Sequence, residues 1–173
     1  LGYSSILLVF QVDELFFKIG KQNISENIPS EVIEAIINIS KEIAEEGREG
    51  KMVGTAFVIG EPSELSKYLK QLVINPFYNL NEKVKVTDPD IKETVKEFAQ
   101  LDGVFIINPE GHIISCGTYI IINTEETTLP RGFGTKHQAC AALTKSTNSV
   151  AITISQSGGI IRIIKDGRIV ARL

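Results

Sequence analysis

The stretch Gly132-Phe133-Gly134-Thr135-Lys136-His137-Gln138-Ala139-Cys140-Ala141-Ala142-Leu143 changes character halfway along. Gly132 and Gly134 permit backbone conformations closed to other residues, and His137 to Leu143 reads as a helix built on Ala139, Ala141, Ala142 and Leu143. A glycine turn therefore feeds a helix N-terminus. Such a junction offers unpaired N–H groups and the positive end of the helix dipole to an anion, usually a phosphate. Thr135 adds a hydroxyl, Lys136 a positive charge and His137 two ring nitrogens. The plainer alternative is a glycine loop that ends one element, with Thr135 capping the next.

Upstream, Asp102-Gly103 opens the apolar run Val104-Phe105-Ile106-Ile107, which predicts a buried strand. A carboxylate at a strand start can hold a metal ion or take a proton from a hydroxyl. Gly103 beside it would let a ligand lie against the backbone.

Taken together, D-G-V-F-I-I-N-P-E-G-H-I from Asp102, G-T-Y-I from Gly117 and G-F-G-T-K-H-Q-A from Gly132 resemble the diadenylate cyclase (DAC) domain family. That family is marked by an Asp-Gly-Ala motif followed by a Gly-Thr-Arg-His-Arg motif, and its members condense two ATP molecules into cyclic di-AMP and two pyrophosphates. The resemblance runs from about Val53 to Leu173. Three positions depart from the family pattern: Val104 stands for Ala, Lys136 for the first Arg and Gln138 for the second. Lysine keeps the charge without the bidentate fork, and glutamine loses the charge.

The resemblance implies an α/β fold, a single domain with a central mixed, largely antiparallel β-sheet flanked by helices. It would occupy 30–173, with 1–29 as an N-terminal segment or linker. It further implies Asp102, Lys136 and His137 as catalytic residues, with Asp102 also holding a divalent metal, Mg2+ or Mn2+. ATP would contact Gly103, Ile120, Gly134, Thr135, Lys136, His137, Gln138 and Ser155, with Ile120 against the adenine. The family often has acidic residues just after the position of Ser155, where this chain has Gln156 and Ser157. Arg131, in the polar loop Asn123 to Arg131 near the expected site mouth, is either a replacement for a missing guanidinium or solvated surface.

Composition frames these expectations. The chain has 173 residues, enough for one domain, with ordinary hydrophobic (43%) and charged (23%) fractions. A formal net charge of -3 argues against a nucleic-acid surface, which needs clustered basic residues, but leaves room for a nucleotide pocket. The two cysteines, Cys116 and Cys140, predict buried thiols in a reducing, cytoplasmic compartment rather than a disulfide scaffold or zinc site. The apolar run near Leu1 is too short to cross a bilayer and lacks a basic leader, so neither a signal peptide nor a membrane anchor is expected. A start at Leu1 rather than Met suggests a fragment of a longer protein.

In chain order, Ile6 to Val12 reads as a strand or as packing for the next helix, and Lys18 to Pro29 as a loop. Ser30 reads as an N-cap for a helix whose apolar face is Ile33, Ile36, Ile37, Ile43 and Ala44, closed by Gly47. Glu42, Glu45 and Glu46 read as its solvated face rather than a metal cluster. Val53 to Gly60 predicts a central strand, Pro62 to Leu72 a short helix, and Asn75 to Asn79 a loop under which Phe77 and Tyr78 pack. Val84 to Val86 reads as a brief strand, and Asp88 as the cap of a helix with Ile91, Val95 and Phe98 on one face. Val104 to Asn108 and Ile113 to Ile122 form a hairpin through Pro109 to His112, with His112 a surface residue of the turn. Small Ser115, Cys116 and Gly117 suggest that the second strand passes something bulky. The last three strands are Val150 to Ser155, Ile160 to Ile164 and Ile169 to Leu173, an antiparallel meander.

Each domain would carry one copy of the site, whereas the reaction needs two ATP molecules facing each other. The resemblance therefore implies self-association of two domains face to face, with ATP and cyclic di-AMP as ligands. Competing readings are an inactive relative that binds ATP or cyclic di-AMP, another ATP-dependent transferase on this scaffold, and a structural domain without nucleotide.

Overall fold

Residues 56 to 59 show how the sheet is sorted. The side chains of Ala56 and Val58 point to one face and those of Phe57 and Ile59 to the other, as strand alternation requires, and all four are fully buried. Helices cover both faces. The structure, a computed structural model, describes residues 24, 27–47, 49–124, 129–130 and 132–173. The Ile6 to Val12 segment and Arg131 lie outside the described residues.

Seven strands form one sheet: β1 (Ala56–Ile59), β2 (Leu69–Gln71), β3 (Val104–Ile107), β4 (Ile113–Ile120), β5 (Val150–Ile154), β6 (Ile161–Lys165) and β7 (Arg168–Arg172). Their order is β2-β4-β3-β1-β5-β6-β7. Only β1 and β3 run parallel, and every other pairing is antiparallel. The sheet is thus mixed and largely antiparallel, in an α/β domain of the expected class.

On the larger-residue face lie α1 (Ser30–Glu46) and α3 (Lys92–Phe98). Ile33, Ile36, Ile37 and Ile43 of α1 are buried against Phe57, Phe105 and Ile152 of the sheet. Burying each such isoleucine contributes about 1.5–3 kcal/mol. Phe57 and Phe105, paired across β1 and β3, stack with ring centroids 5.0 Å apart. The opposite face carries small residues, Ala56, Val58 and Ala151, and these let α4 (Thr135–Ser146) lie close through Cys140, Ala141 and Leu143.

Several local expectations need correction. Pro29, not Ser30, holds the N-cap position of α1, and no side chain caps it. Proline sets an extended entry, so Ser30 is already helical. Gly47 does close α1, at φ 60° with its N–H on the Ile43 carbonyl. In the stretch read as a loop, Ile24 is helical, and both Ile24 and Ile28 are buried in the core beneath α1. Pro62 to Leu72 is not one helix. A single turn, α2 (Pro62–Leu65), and a 3-10 turn lead into strand β2, which pairs Leu69 with Ile120.

Phe77 packs edge-on to Phe98 at 5.9 Å, as expected, whereas Tyr78 is exposed. Residues 84–86 form only an isolated bridge, Lys85 with His112. His112 is half-buried rather than freely solvated, because its N–H and ring nitrogen are held by the side chain of Asn108 at 2.7 and 3.3 Å. Glu42 and Glu46 clasp Lys96 of α3, at 3.3 and 2.7 Å, with Glu93 at 2.8 Å. Lys92 completes this clasp on Glu42. Desolvated between two helices, Lys96 is held by three carboxylates, which push its pKa up. The acids of α1 are therefore partly a docking device for α3.

Candidate functional site

The chain leaves α3 through a turn and enters β3 at Asp102-Gly103. Gly103 has φ +102°, a conformation that L side chains rarely adopt, and an added Cβ would lie 2.7 Å from both the Thr118 nitrogen and its carbonyl oxygen. The β4 backbone therefore approaches this glycine too closely for any side chain. At Gly117 the bulky neighbour is Val73, whose side chain lies 2.5 Å from where a Cβ would stand. Val104 pairs with Thr118, which brings Tyr119 beside Asp102.

The Asp102 carboxylate is consequently held on both oxygens. Oδ1 accepts the Gly103 N–H at 2.9 Å, and Oδ2 accepts the Tyr119 hydroxyl at 2.9 Å. The anion pushes the Tyr119 phenol pKa up, since ionised tyrosine would lose that bond and face a like charge. Behind them, Thr118 donates to Gln71 of β2 at 2.9 Å and shares a 2.7 Å hydroxyl contact with Ser115. Gln71 in turn donates to the Cys116 carbonyl at 2.6 Å. These bonds tie the edge strand to β4 and stiffen the wall that carries Tyr119 and Ile120.

The facing wall is the start of α4. Gly134 occupies its N-cap position without any side-chain cap, and the first helical bond runs from Gln138 N–H to the Gly134 carbonyl at 3.2 Å. Thr135 is thus the first helical residue, not the cap. Of the two glycines, only Gly132 needs its freedom, at φ +111°; Gly134 has φ -63°. A twelve-residue helix starting uncapped at an exposed turn presents its N–H groups and positive dipole end to the space in front.

Between the walls lie two neighbouring chambers. One, of about 200 Å3, has Val104, Ile120 and Ile122 on its apolar side and Gly103 and Gln138 beside them. The other, of about 820 Å3, is more polar and bordered by Gly134, His137, Ser155 and Arg162. Asp102, Thr135 and Lys136 line both. The structure therefore brings Asp102 and the threonine-lysine corner to the border of both chambers, with Ile120 on the smaller and Ser155 on the larger.

Individual side chains differ in how free they are. Lys136 donates to the Gly54 carbonyl at 3.0 Å; burial lowers its pKa, and the Asp102 charge partly offsets this. Gln138 donates back to the Phe133 carbonyl at 3.1 Å. His137 is only 8% exposed. Burial, then the charges of Arg162 and Lys136, push its pKa down to about 4. Near pH 7 it is a neutral imidazole whose Nε2 accepts from Arg162 Nη1 at 3.4 Å. Both cysteines are buried and free, with their thiols pushed up by burial to about 11 for Cys116 and about 12 for Cys140.

Among the described residues, Asp102 is the one carboxylate bordering the chambers, and no group of three acidic, histidine or cysteine side chains could hold a metal. Each Asp102 oxygen has a lone pair left after its single hydrogen bond. That donor set fits a hard ion such as Mg2+, which commonly takes one protein carboxylate and fills its shell with phosphate and water oxygens.

Two residues escaped the sequence reading. Tyr119 lay inside the G-T-Y-I segment, but its role depends on the register between β3 and β4. Arg162 carried a visible signal, a single charge inside Ile160-Ile161-Arg162-Ile163-Ile164.

A mixed sheet with an uncapped helix start, a lysine and a fixed carboxylate around one hollow defines an α/β domain suited to an anionic ligand with an apolar end. Residues 42–169 match the family described as DAC, DisA bacterial checkpoint controller nucleotide-binding, and the chain belongs to that family. Two relatives named diadenylate cyclase are similar to it. That of Methanocaldococcus jannaschii is 43% identical over 138 residues, covering 80% of this chain and 44% of the relative. That of Haloferax volcanii is 33% identical over 142 residues, covering 82% and 52%. The chain thus spans about half the length of the curated relatives it matches.

Among solved structures, a hypothetical membrane spanning protein from Bacillus cereus matches with a TM-score of 0.56 at 16% identity, covering 81% of this chain and 60% of that one. A double mutant of DacA from Staphylococcus aureus matches at 0.54 and 14% identity, covering 81% and 85%. These two likenesses concern the fold alone. No helix among the described residues is long and apolar enough to cross a membrane.

Proposed function

We propose that this domain is a diadenylate cyclase, joining two ATP molecules into cyclic di-AMP with release of two pyrophosphates. The observation that carries this reading is the shared hollow: Asp102 on one wall, Thr135 and Lys136 at a helix N-terminus on the other, and Ile120 at its apolar end. The family and the names of the two relatives point the same way.

In this reading the adenine lies in the smaller chamber against Ile120, and the triphosphate runs toward Thr135, Lys136 and Ser155. Asp102, oriented by Tyr119 and the Gly103 N–H, takes the proton of a 3′-hydroxyl as its oxygen attacks the α-phosphorus of the opposite ATP. The bond from that phosphorus to the pyrophosphate oxygen breaks, and the helix N–H groups with Lys136 offset the charge that develops. Preorganised donors of this kind are worth about 2.7–4 kcal/mol each in barrier height. A divalent ion, Mg2+ or Mn2+, held by Asp102 and the phosphates would supply further neutralisation of that charge.

One chain carries one Asp102 and one ATP-sized hollow, so two domains meet face to face for a complete cycle. The protein acts in the cytoplasm on this reading, where ATP is found.

A second reading is favoured by a specific observation. Lys136 and Gln138, which replace the two family arginines, both spend donors on their own backbone, at Gly54 and Phe133. A domain in which they stay there would bind ATP or cyclic di-AMP without turnover. Incubation with ATP and Mn2+ followed by mass spectrometry separates the two readings. Cyclic di-AMP from the parent and none from Asp102→Asn supports the cyclase; ATP binding without pyrophosphate release supports the inactive relative.

A further inference from the structure

Arg162 is the second residue of β6, with its side chain on the α4 face, where it borders the larger chamber together with Lys136, Thr135 and Ser155. Its guanidinium carbon lies 5.0 Å from the Phe133 ring centroid, and Nη1 donates to His137 Nε2 at 3.4 Å. Both partners are uncharged: one is a π face and the other a neutral ring. Among the described residues no carboxylate forms an ion pair with it.

The charge opposite it has the same sign. Arg162 is the register partner of Arg172 on β7, and like charges directly across a ladder repel. Burial and the neighbouring Arg172 both pull its pKa down. A half-buried guanidinium that faces an open chamber, with a second guanidinium across the ladder and no counter-ion among the described residues, is unfavourable until an anion arrives. Phe133 and His137 meanwhile fix the plane of the fork, by cation–π contact and by hydrogen bond.

From this arrangement we infer that Arg162 is a polyphosphate-binding residue, its guanidinium gripping the phosphate chain of a nucleoside triphosphate from β6 at the border of the larger chamber, beside the first turn of α4. The inference rests on the nucleotide reading above and adds to it a residue from outside both motifs. His137 then acts as a positioning residue, since its neutral ring accepts from Arg162 and orients the fork toward the ligand. Arg162 and Lys136 bracket the triphosphate from two elements.

The test is calorimetric binding of three probes, α,β-methylene ATP, inorganic pyrophosphate and AMP, to the parent, Arg162→Gln, Arg162→Lys and the exposed-site control Arg168→Gln. Arg162→Gln is expected to weaken α,β-methylene ATP and pyrophosphate about tenfold or more while AMP stays within about twofold. Arg162→Lys, with charge but no fork, falls between, and Arg168→Gln matches the parent. Circular dichroism confirms that each variant is folded. If Arg162→Gln does not fold, Arg162→Lys decides, with a loss of about threefold or more for the triphosphate alone as the supporting result.

Unchanged affinity for α,β-methylene ATP in a folded Arg162→Gln protein, or equal losses for AMP and the triphosphate, overturns the inference. Binding that weakens as expected in a protein that makes no cyclic di-AMP removes the cyclase reading and leaves this one standing. A parent that binds no probe overturns both.

Discussion

The Tyr119 hydroxyl donates to Oδ2 of Asp102 at 2.9 Å, from the strand that pairs with the one Asp102 introduces. The bond makes Tyr119 a positioning residue for the carboxylate. Tyr119→Phe keeps the ring and loses only the donor, so kcat is expected to fall about fivefold to tenfold with KM for ATP unchanged. A rise in KM alone would assign Tyr119 to ground-state binding instead. The contact has a second signature, independent of activity. Because Asp102 pushes the Tyr119 phenol pKa up, Asp102→Asn brings it back toward the ordinary tyrosine value, which ultraviolet titration of the tyrosinate band measures.

Gly103 fits between Asp102 and β4 only without a side chain. Gly103→Ala meets both a positive φ and the backbone at Thr118, and it is expected to cost more than about 2 kcal/mol of stability. Denaturant unfolding reads this directly. Gly134→Ala, with a negative φ and no atom within 4 Å of the added methyl, is expected to change stability by less than about 1 kcal/mol.

His137 makes stability depend on pH in a defined window. Its folded pKa, pushed down to about 4, lies below the ordinary histidine value of 6.5, so the unfolded chain binds the proton more readily. Its contribution is complete above about pH 6.5, shrinks as the pH falls, and is gone below about pH 4. The full effect is on the order of 3 kcal/mol. Urea midpoints at pH 7 and pH 4.5 should differ more in the parent than in His137→Gln, and equal differences would show that the ring is not desolvated as described.

The proposed two-domain catalysis predicts a rate per subunit that falls on dilution, because one Asp102 and one hollow would serve half the cycle. Initial rates over a thousandfold range of protein concentration test this. A rate per subunit that stays flat far below any dimer dissociation constant would place the whole reaction in one chain.

Much of the site was legible from local signals. Asp102-Gly103 before an apolar run, and a glycine turn before an alanine-rich helix, are patterns that a few neighbouring residues determine, and both fold as read. What depended on pairing between distant segments was not legible. Leu69 to Gln71 follows a helical turn without a break and becomes a strand because residues 118–120 offer it a ladder. The bond from Tyr119 to Asp102 follows from register, which no single segment contains. The packing of the β4 backbone against Gly103 likewise follows from strand pairing and was not visible in the Asp-Gly pair itself. Arg162, a lone charge among isoleucines, marked itself in the sequence, and only the fold shows that α4 and β7 surround it.

The proposed chemistry requires a single hollow that accommodates one ATP between Asp102 and the start of α4. A crystal structure with a non-cyclisable ATP analogue measures this most directly. Adenine density is expected against Ile120 in the smaller chamber, and phosphate density beside Thr135, Lys136 and Arg162 in the larger one. An analogue bound elsewhere, with both chambers unfilled, would contradict it.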